Sequence, residues 1–437
     1  LQAVQKRFDI ARIEGLHGPQ GTLRGRASPS GSISVTTARA ETDVFMGYVD
    51  ATLTDDGDQN YQGALNIPVI DGKLGVRVAG FWDESNLNDV TSTFGHGSSD
   101  YEGNGYRLSV TAEPIDALSM SLTYERVRPD RSIYKPVESL SAAPISITAK
   151  DRQSVQDVAE ESTQDLETTT FNIAWDVTDS MALYYTGGYH SVVLEQFPAA
   201  DVTNAFDDTY DDAFQGTQGY LYNDADYVNH ELRLQSTEPL FNKLDYVVGF
   251  MYEEVESTVI NKTVSYIDDQ IPDTIYGFVD PSLTNIGRAT TDTVIRNYDD
   301  ANNSDTKEVS AFLNLTYHFT DATALSAGVR KIRYNNSQFI ALDSGFVLQD
   351  LDADEDKEIY TASLSHDFTP DILAYVSWGT SWRVGPNLVG VLANSYSETL
   401  QNFVSLPSET SESFELGMKS SWLDSRLQFN VALLSRV

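Results

Sequence analysis

Six histidines, no cysteine and a large excess of carboxylates limit what chemistry this chain performs. His17, His96, His190, His230, His318 and His366 show no metal-ligand spacing. The absence of cysteine removes disulfide scaffolds, thiolate zinc sites, iron–sulfur clusters and cysteine nucleophiles together. Neither a nucleophile elbow nor a phosphate loop is present. Asp352, Asp354 and Asp356 alternate like the first ligands of a calcium loop, but Lys357 stands where the sharp turn needs glycine. Asp201, Asp207, Asp208, Asp211, Asp212, Asp224 and Asp226 form a run with no basic residue between them. Such a run is either a solvated surface, able to bridge cations to anionic headgroups, or an attractor of cationic and metal-bearing ligands. Tyr210, Tyr220, Tyr222, Tyr227, Tyr266 and Tyr276 crowd two stretches read as loops. Each offers a flat apolar face and one hydrogen-bonding tip, suited to gripping a ring-bearing ligand or to packing on one another. These residues point to binding: no catalytic residue, metal site or cofactor is called for.

The charge balance narrows the partners. With 65 acidic and 29 basic side chains the formal charge is −36, so a phosphate polymer would be repelled and nucleic acid is excluded. No apolar run approaches the roughly 18 residues of a membrane-spanning helix. The start, Leu1-Gln2-Ala3-Val4-Gln5-Lys6, has neither a basic n-region nor an apolar core and lacks an initiator Met. It reads as a chain beginning within a longer protein, so this absence carries no information on compartment.

The elements that position these residues are strands. Leu74, Val76, Val78 and Trp82 alternate with Arg77, Ala79 and Asp83, and Leu118, Met120, Leu122 and Tyr124 alternate with Ser119, Ser121, Thr123 and Glu125. Met181 to Tyr189 and Val309 to Tyr317 repeat the pattern. Asp71, Asp116, Asp179, Asp321, Asp371 and Asp424 mark very short links between such runs. Longer polar detours, near 85–100, 129–166, 198–225, 259–304, 341–354 and 385–409, separate successive hairpins. Short turns therefore share one end of the sheet and long loops the other. Uneven spacing argues against a propeller, and strand length argues against a sandwich. Strands of about 9–11 residues with this asymmetry describe an antiparallel transmembrane β-barrel, all-β, with apolar residues toward lipid. About 15 strands are predicted after residue 43. Trp82, Tyr124, Tyr189, Tyr252, Tyr334 and Trp382 suit one interfacial girdle, and Trp175, Phe319, Phe368 and Trp422 the other. Aromatic enrichment of strands in general accounts for such positions equally well.

Residues 1–40 differ from the rest. Arg12-Ile13-Glu14-Gly15-Leu16-His17-Gly18-Pro19-Gln20-Gly21-Thr22-Leu23-Arg24-Gly25-Arg26, followed by Ser28 to Thr37 with Gly31, is too glycine-dense for a barrel strand. The segment is similar to the end of the plug domain of TonB-dependent outer-membrane receptors. A second match, Pro407 to Lys419 with Glu412, Glu415 and Gly417, resembles a barrel strand of that family. The departures are His17 where the family usually has arginine, and Ala27-Ser28-Pro29-Ser30 in place of an asparagine-containing turn. Val437 provides no closing aromatic residue.

The resemblance implies two domains: 1–40, the C-terminal part of a plug, and 41–437, a β-barrel truncated at its C-terminus, incomplete against the family's 22 strands. It implies a Gram-negative outer-membrane location, with lipid as one partner. A small-molecule ligand such as an iron–siderophore would be a second partner, and the inner-membrane TonB complex a third, its contact segment missing from this chain. The activity implied is import, energised by TonB. A passive porin or adhesin barrel is the alternative, and a soluble secreted β-protein a third. The plug motif comprises Arg12, Glu14, His17, Gly18, Pro19, Gly21, Gly25 and Gly31. Arg12 and Glu14 are expected to meet Glu415, which shares its strand face with Lys419, because a charge in a confined lumen needs a partner.

Overall fold

The computed structural model describes residues 8–17, 22, 31–87, 90–92, 97–135, 152–154, 159–198, 218–267, 293–342, 347–385 and 407–436. A hairpin comes first, β1 (Ile10–His17) antiparallel to β2 (Gly31–Thr37) with Glu14 opposite Ser34. There follow β3 (Met46–Leu53), β4 (Gln59–Ile70), β5 (Leu74–Ser85), β6 (Thr91–Ser92), β7 (Asp100–Ile115) and β8 (Leu118–Ile133). Next are β9 (Gln153–Ser154), β10 (Glu160–Thr178), β11 (Met181–Phe197), β12 (Gln218–Ser236), β13 (Leu244–Ile267) and β14 (Thr293–Thr320). The last are β15 (Thr323–Leu342), β16 (Val347–Thr369), β17 (Ile372–Arg383), β18 (Glu409–Trp422) and β19 (Leu427–Arg436).

From β3 to β19 these strands form one 15-stranded sheet in chain order, with β6 and β9 pairing separately in parallel. Every pair within the large sheet is antiparallel, so the backbone of each strand between the edges β3 and β19 is paired on both sides, as strands that cross hydrocarbon require. Asp71, Asp116, Asp179, Asp321, Asp371 and Asp424 all lie between the paired strands at the same end of the sheet. In the first of these turns the Lys73 amide donates to the Ile70 carbonyl at 2.9 Å, and Gly72 takes φ +64°. A side chain is unfavourable there, and glycine removes the penalty.

Burial across the sheet is inverted relative to a soluble protein. On β5, Arg77, Ala79, Phe81 and Asp83 are buried while Val78 is 49% exposed. Leu108, Leu122, Phe171, Leu232, Val248, Phe250, Leu313, Leu315 and Leu364 are likewise exposed, while Arg107, Ser109, Thr111, Glu308, Ser310 and Arg330 are buried. A continuous apolar face of this extent is not stable against water, since each large side chain forgoes about 1.5–3 kcal/mol of transfer. Contact with lipid hydrocarbon removes that cost.

The extent of several strands differs from the sequence expectation. The stretches 259–304 and 341–354, read as loops, are strand wherever they are described: β13 reaches Ile267 and β14 starts at Thr293, running for 24 and 28 residues, while β15 reaches Leu342 and β16 starts at Val347. The ladder outlasts the apolar band, because backbone pairing does not require one face to be greasy. Asp352, Asp354 and Asp356 consequently sit on β16 opposite Ser337, Asn335 and Arg333. Trp175, Phe319, Phe368 and Trp422 are exposed beside the short turns as expected. Tyr334 and Trp382 are not girdle residues: they are buried together with Ile332 and Ile359, ring centroids 5.6 Å apart.

Candidate functional site

Residues preceding the large sheet contact its polar face at two places. Asp9 is buried, and its carboxylate accepts from Arg77 Nε at 2.8 Å and Nη2 at 2.5 Å. Arg107 Nη1 donates to the carbonyls of Phe8 and Asp9 at 3.2 and 3.3 Å, while its Nε donates to Glu125 at 2.7 Å. The same guanidinium stands 4.4 Å over the Phe8 ring, and Phe8 packs on Phe81 at 4.9 Å. Phe8 thereby joins Ala64, Ala79, Phe81, Val127, Leu166 and Val192 in one apolar cluster on the polar face of the wall. Two arginines in such a strand face would be costly alone; a buried carboxylate and two backbone carbonyls compensate them.

A second anchor lies far along the sheet. Thr22 is buried, its Oγ1 3.4 Å from Asn314 Oδ1 on β14 and 3.2 Å from Thr361 Oγ1 on β16. Asn314, Gly328 and Thr361 are in register across β14, β15 and β16. A Cβ at Gly328 would come within 2.6 Å of Thr361 Oγ1 and would also strike Asn314. The missing side chain thus leaves the notch in which the two hydroxyl-facing partners of Thr22 sit. Phe8, Asp9 and Thr22 together touch β5, β7, β14 and β16, all on the same face.

The residues expected to hold a plug are arranged differently. Arg12 Nε is 3.5 Å from Glu14 Oε1 within β1, both side chains substantially exposed. Glu415 accepts from the hydroxyl of Tyr375, and Lys419 Nζ lies 5.8 Å from the centroid of that ring. Tyr375 is opposite Gly417, where any Cβ would collide with the ring, so glycine makes room for the Glu415–Tyr375–Lys419 set. His17 is in β1 opposite Gly31 in β2, with Gly15 opposite Ile33. Gly18, Pro19, Gly21 and Gly25 lie outside the described residues. Sequence reading missed Phe8, Asp9, Arg77 and Arg107. The available signal was the arginine pair itself, one on each of two strands at positions facing away from lipid.

Higher on the wall, Arg330 and Glu308 pair at 3.1 Å, almost completely buried, with Arg330 Nε also donating to Ser310 at 3.0 Å.

The described tyrosines of β12 face two ways. Tyr220, Tyr222 and Tyr227 are on β12 rather than in a loop, and strand alternation sends Tyr227 to the opposite face from the other two. Tyr227 packs against the Phe8 cluster, whereas Tyr222 donates to Asp224 at 3.1 Å and the Tyr220 ring lies tilted against Phe197, centroids 5.2 Å apart. Tyr266 is on β13 opposite Val294, and Tyr210 and Tyr276 lie outside the described residues, as do Asp201, Asp207, Asp208, Asp211 and Asp212.

Above the apolar band the outward face is charged. Glu254, Glu256 and Asp305 bring carboxylate oxygens within 4.8 Å of one another. Lys307 is 2.9 Å from both Glu254 and Asp305, and those contacts push its ammonium pKa up. On β10, Asp165 accepts from Arg126 at 2.8 Å and Arg128 at 3.0 Å; the Arg126 bond foremost holds its carboxyl down at about 2. These are rim charges on strand extensions, where water screens them.

Residues 42–434 match the family described as TonB dependent receptor-like, beta-barrel. Solved structures with the same fold include the ferric yersiniabactin uptake receptor of Yersinia pestis, 13% identical, covering 98% of this chain and 60% of that one, TM-score 0.72. The siderophore receptor of Acinetobacter baumannii is 16% identical over 98% and 62% of the two chains, TM-score 0.72. The ferric-catecholate import receptor of E. coli K12 is 17% identical over 96% and 61%, TM-score 0.67. The chain spans about three-fifths of the length of each.

Proposed function

The chain belongs to the TonB-dependent receptor β-barrel family, and from that premise we propose that it works in the outer membrane of a Gram-negative bacterium. There it imports a scarce small molecule, a ferric siderophore or similar iron complex, with energy delivered by TonB. The observation that carries this reading is the anchoring of Phe8, Asp9 and Thr22 on the polar face of the wall. A passive pore has no use for a buried ion pair whose function is to hold a preceding segment in its lumen. Residues 1–40 are, on this reading, the end of the plug. The similar solved receptors support iron as cargo by their own described substrates, ferric yersiniabactin and ferric catecholates.

No bond is made or broken in the cargo. The lumenal arginines and hydroxyls hold the plug in a closed arrangement, and a pull on it exchanges those contacts for water. The test is iron-limited growth of a host lacking its own receptors and expressing this protein. Growth on an iron complex that disappears when tonB is deleted is the expected result. Growth independent of TonB would show a passive pore instead.

A further inference from the structure

On the polar face of β3, β4, β5, β7, β8 and β10, at the end away from the short turns, there is a cavity of about 530 Å³. That volume lies in the range of about 300–1,000 Å³ typical of drug-sized ligands. Its apolar side is formed by Val127, Pro129, Ile133 and Leu166, of which Val127 and Leu166 belong to the Phe8 cluster. Its polar side contains an unusual pair. Arg131 and Ser162 are direct cross-strand partners on β8 and β10, and both line the cavity. Ser162 is only 2% exposed, and neither its Oγ nor Arg131 Nε has a hydrogen-bond partner among the described residues. The Cβ atoms of directly opposed residues stand about 5 Å apart, which places both donors beside the same part of the cavity. Leaving two buried donors unmet is costly, and an occupant with an oxyanion satisfies them.

The rest of the lining restricts that occupant. Asp58 and Asp83 also face the cavity, so a multiply charged anion is repelled while a hydroxyl or amine on the occupant is welcome. The Tyr101 phenol, pushed up to about 12 by burial and then by the charge of Asp83, stays protonated and able to donate.

We propose that this cavity binds a hydroxy- or amino-substituted carboxylate of small-molecule size, its oxyanion between Arg131 and Ser162 and its apolar part on Val127, Ile133 and Leu166. The proposal rests on the transport reading only in taking such a molecule, or a part of one, as cargo; binding itself is independent of energy coupling.

The test uses the protein purified from outer membranes in detergent and two fluorinated probes, 3-fluoro-4-hydroxybenzoate and 3-fluoro-4-hydroxybenzyl alcohol, followed by fluorine NMR line broadening. The two share ring and hydroxyl and differ in the oxyanion. The carboxylate is expected to bind about tenfold more tightly, the loss of a charge-assisted hydrogen bond being of that order. Arg131→Gln should remove the preference, and Arg131→Lys should restore part of it. Leu166→Trp, which fills the cavity from its apolar side, should abolish binding of both probes. Heat-modifiable migration on gels checks that each variant retains a folded barrel. Equal binding of the two probes, an unchanged preference in Arg131→Gln, or no broadening at all overturns the proposal. Failure of the probes with TonB-dependent growth intact overturns the cavity alone. Probe binding as expected with no TonB-dependent growth overturns the transport reading and leaves the cavity standing.

Discussion

Removing the Asp9 carboxylate is the most direct way to ask whether the segment before the sheet is held in the lumen. Asp9 and Arg77 have side chains only 3% and 7% exposed and share two hydrogen bonds, at 2.8 and 2.5 Å. Breaking a buried pair from one side costs about 3–5 kcal/mol, mostly from the charge left behind. Here the lower half of that range applies, because Arg107 keeps Glu125 and still donates to the Phe8 and Asp9 carbonyls. At about 1.4 kcal/mol per decade, Asp9→Ala should shift the balance of docked and released segment by roughly two to three powers of ten. In planar bilayers this predicts frequent ion-conducting openings, and in cells a greater sensitivity to bulky antibiotics. Asp9→Leu with Arg77→Met replaces the pair by apolar groups and should recover most of the seal. Glu415→Gln provides the contrast. If Glu415 held Arg12, the variant would leak as Asp9→Ala does; acting through Tyr375 within the wall, it should instead lower barrel stability and leave conductance low. An Asp9→Ala protein as tight to ions as the wild type refutes the reasoning.

Three further outcomes follow from the geometry. Leu122→Arg should destabilise the barrel by about 2–4 kcal/mol, whereas Thr123→Arg, on the face where Thr123 donates to Ser109 at 3.3 Å, should cost clearly less; equal midpoints in urea would argue for a two-sided soluble sheet. Cysteines placed singly at Asp71, Asp179, Asp321 and Asp424 should resist an impermeant reagent on intact cells while one at Asp352 reacts, and labelling at the short turns would reverse the orientation. Asp165 titrates at about 2 when folded against an ordinary 3.8, so its contribution is complete above about pH 4 and is lost as pH falls toward 2. At this rim position it amounts to about 1 kcal/mol or less. The difference in melting temperature between wild type and Asp165→Asn should therefore close over that window, and a gap unaffected by acid would show that Arg126 and Arg128 are not its cause.

The sequence made the wall legible where one of its faces meets hydrocarbon and nowhere else. Leu118 to Tyr124 and Val309 to Tyr317 alternate because lipid selects every second residue, and those segments are strands in the sheet. Beyond the band both faces meet water, the period of two fades, and the pairing of Thr258 with Asn303 or Asn335 with Asp354 continues with no hydropathy signal to mark it. For this reason 259–304 and 341–354 read as loops. The same limit misplaced Tyr220, Tyr222 and Tyr227, whose positions on β12 send them to two faces. Tyr334 and Trp382 were misread for the opposite reason: aromatic type near a strand end suggests an interface, but their rings pack with Ile332 and Ile359.

Contacts between the leading segment and the wall are less legible because they join residues far apart in the chain and involve common types. Asp9 reaches Arg77 and Thr22 reaches Thr361 through register and through absent atoms, not through any local motif. Gly328 shows this most clearly. In sequence it is one small residue on an alternating strand, of the kind that ordinarily weakens packing. In the fold it is aligned with Asn314 and Thr361, and its missing Cβ opens the notch beside Thr22. On the proposed transport reading, a wall that holds an obstruction firmly and yet releases it benefits from such contacts. Hydroxyl–hydroxyl and amide contacts are individually weak and readily exchanged for water, whereas the Asp9–Arg77–Arg107 set is strong and fixed. The two anchors therefore differ in the work needed to break them. A pull on the leading segment should free the β14–β16 side first and open a path there, with the β5–β7 side acting as the hinge.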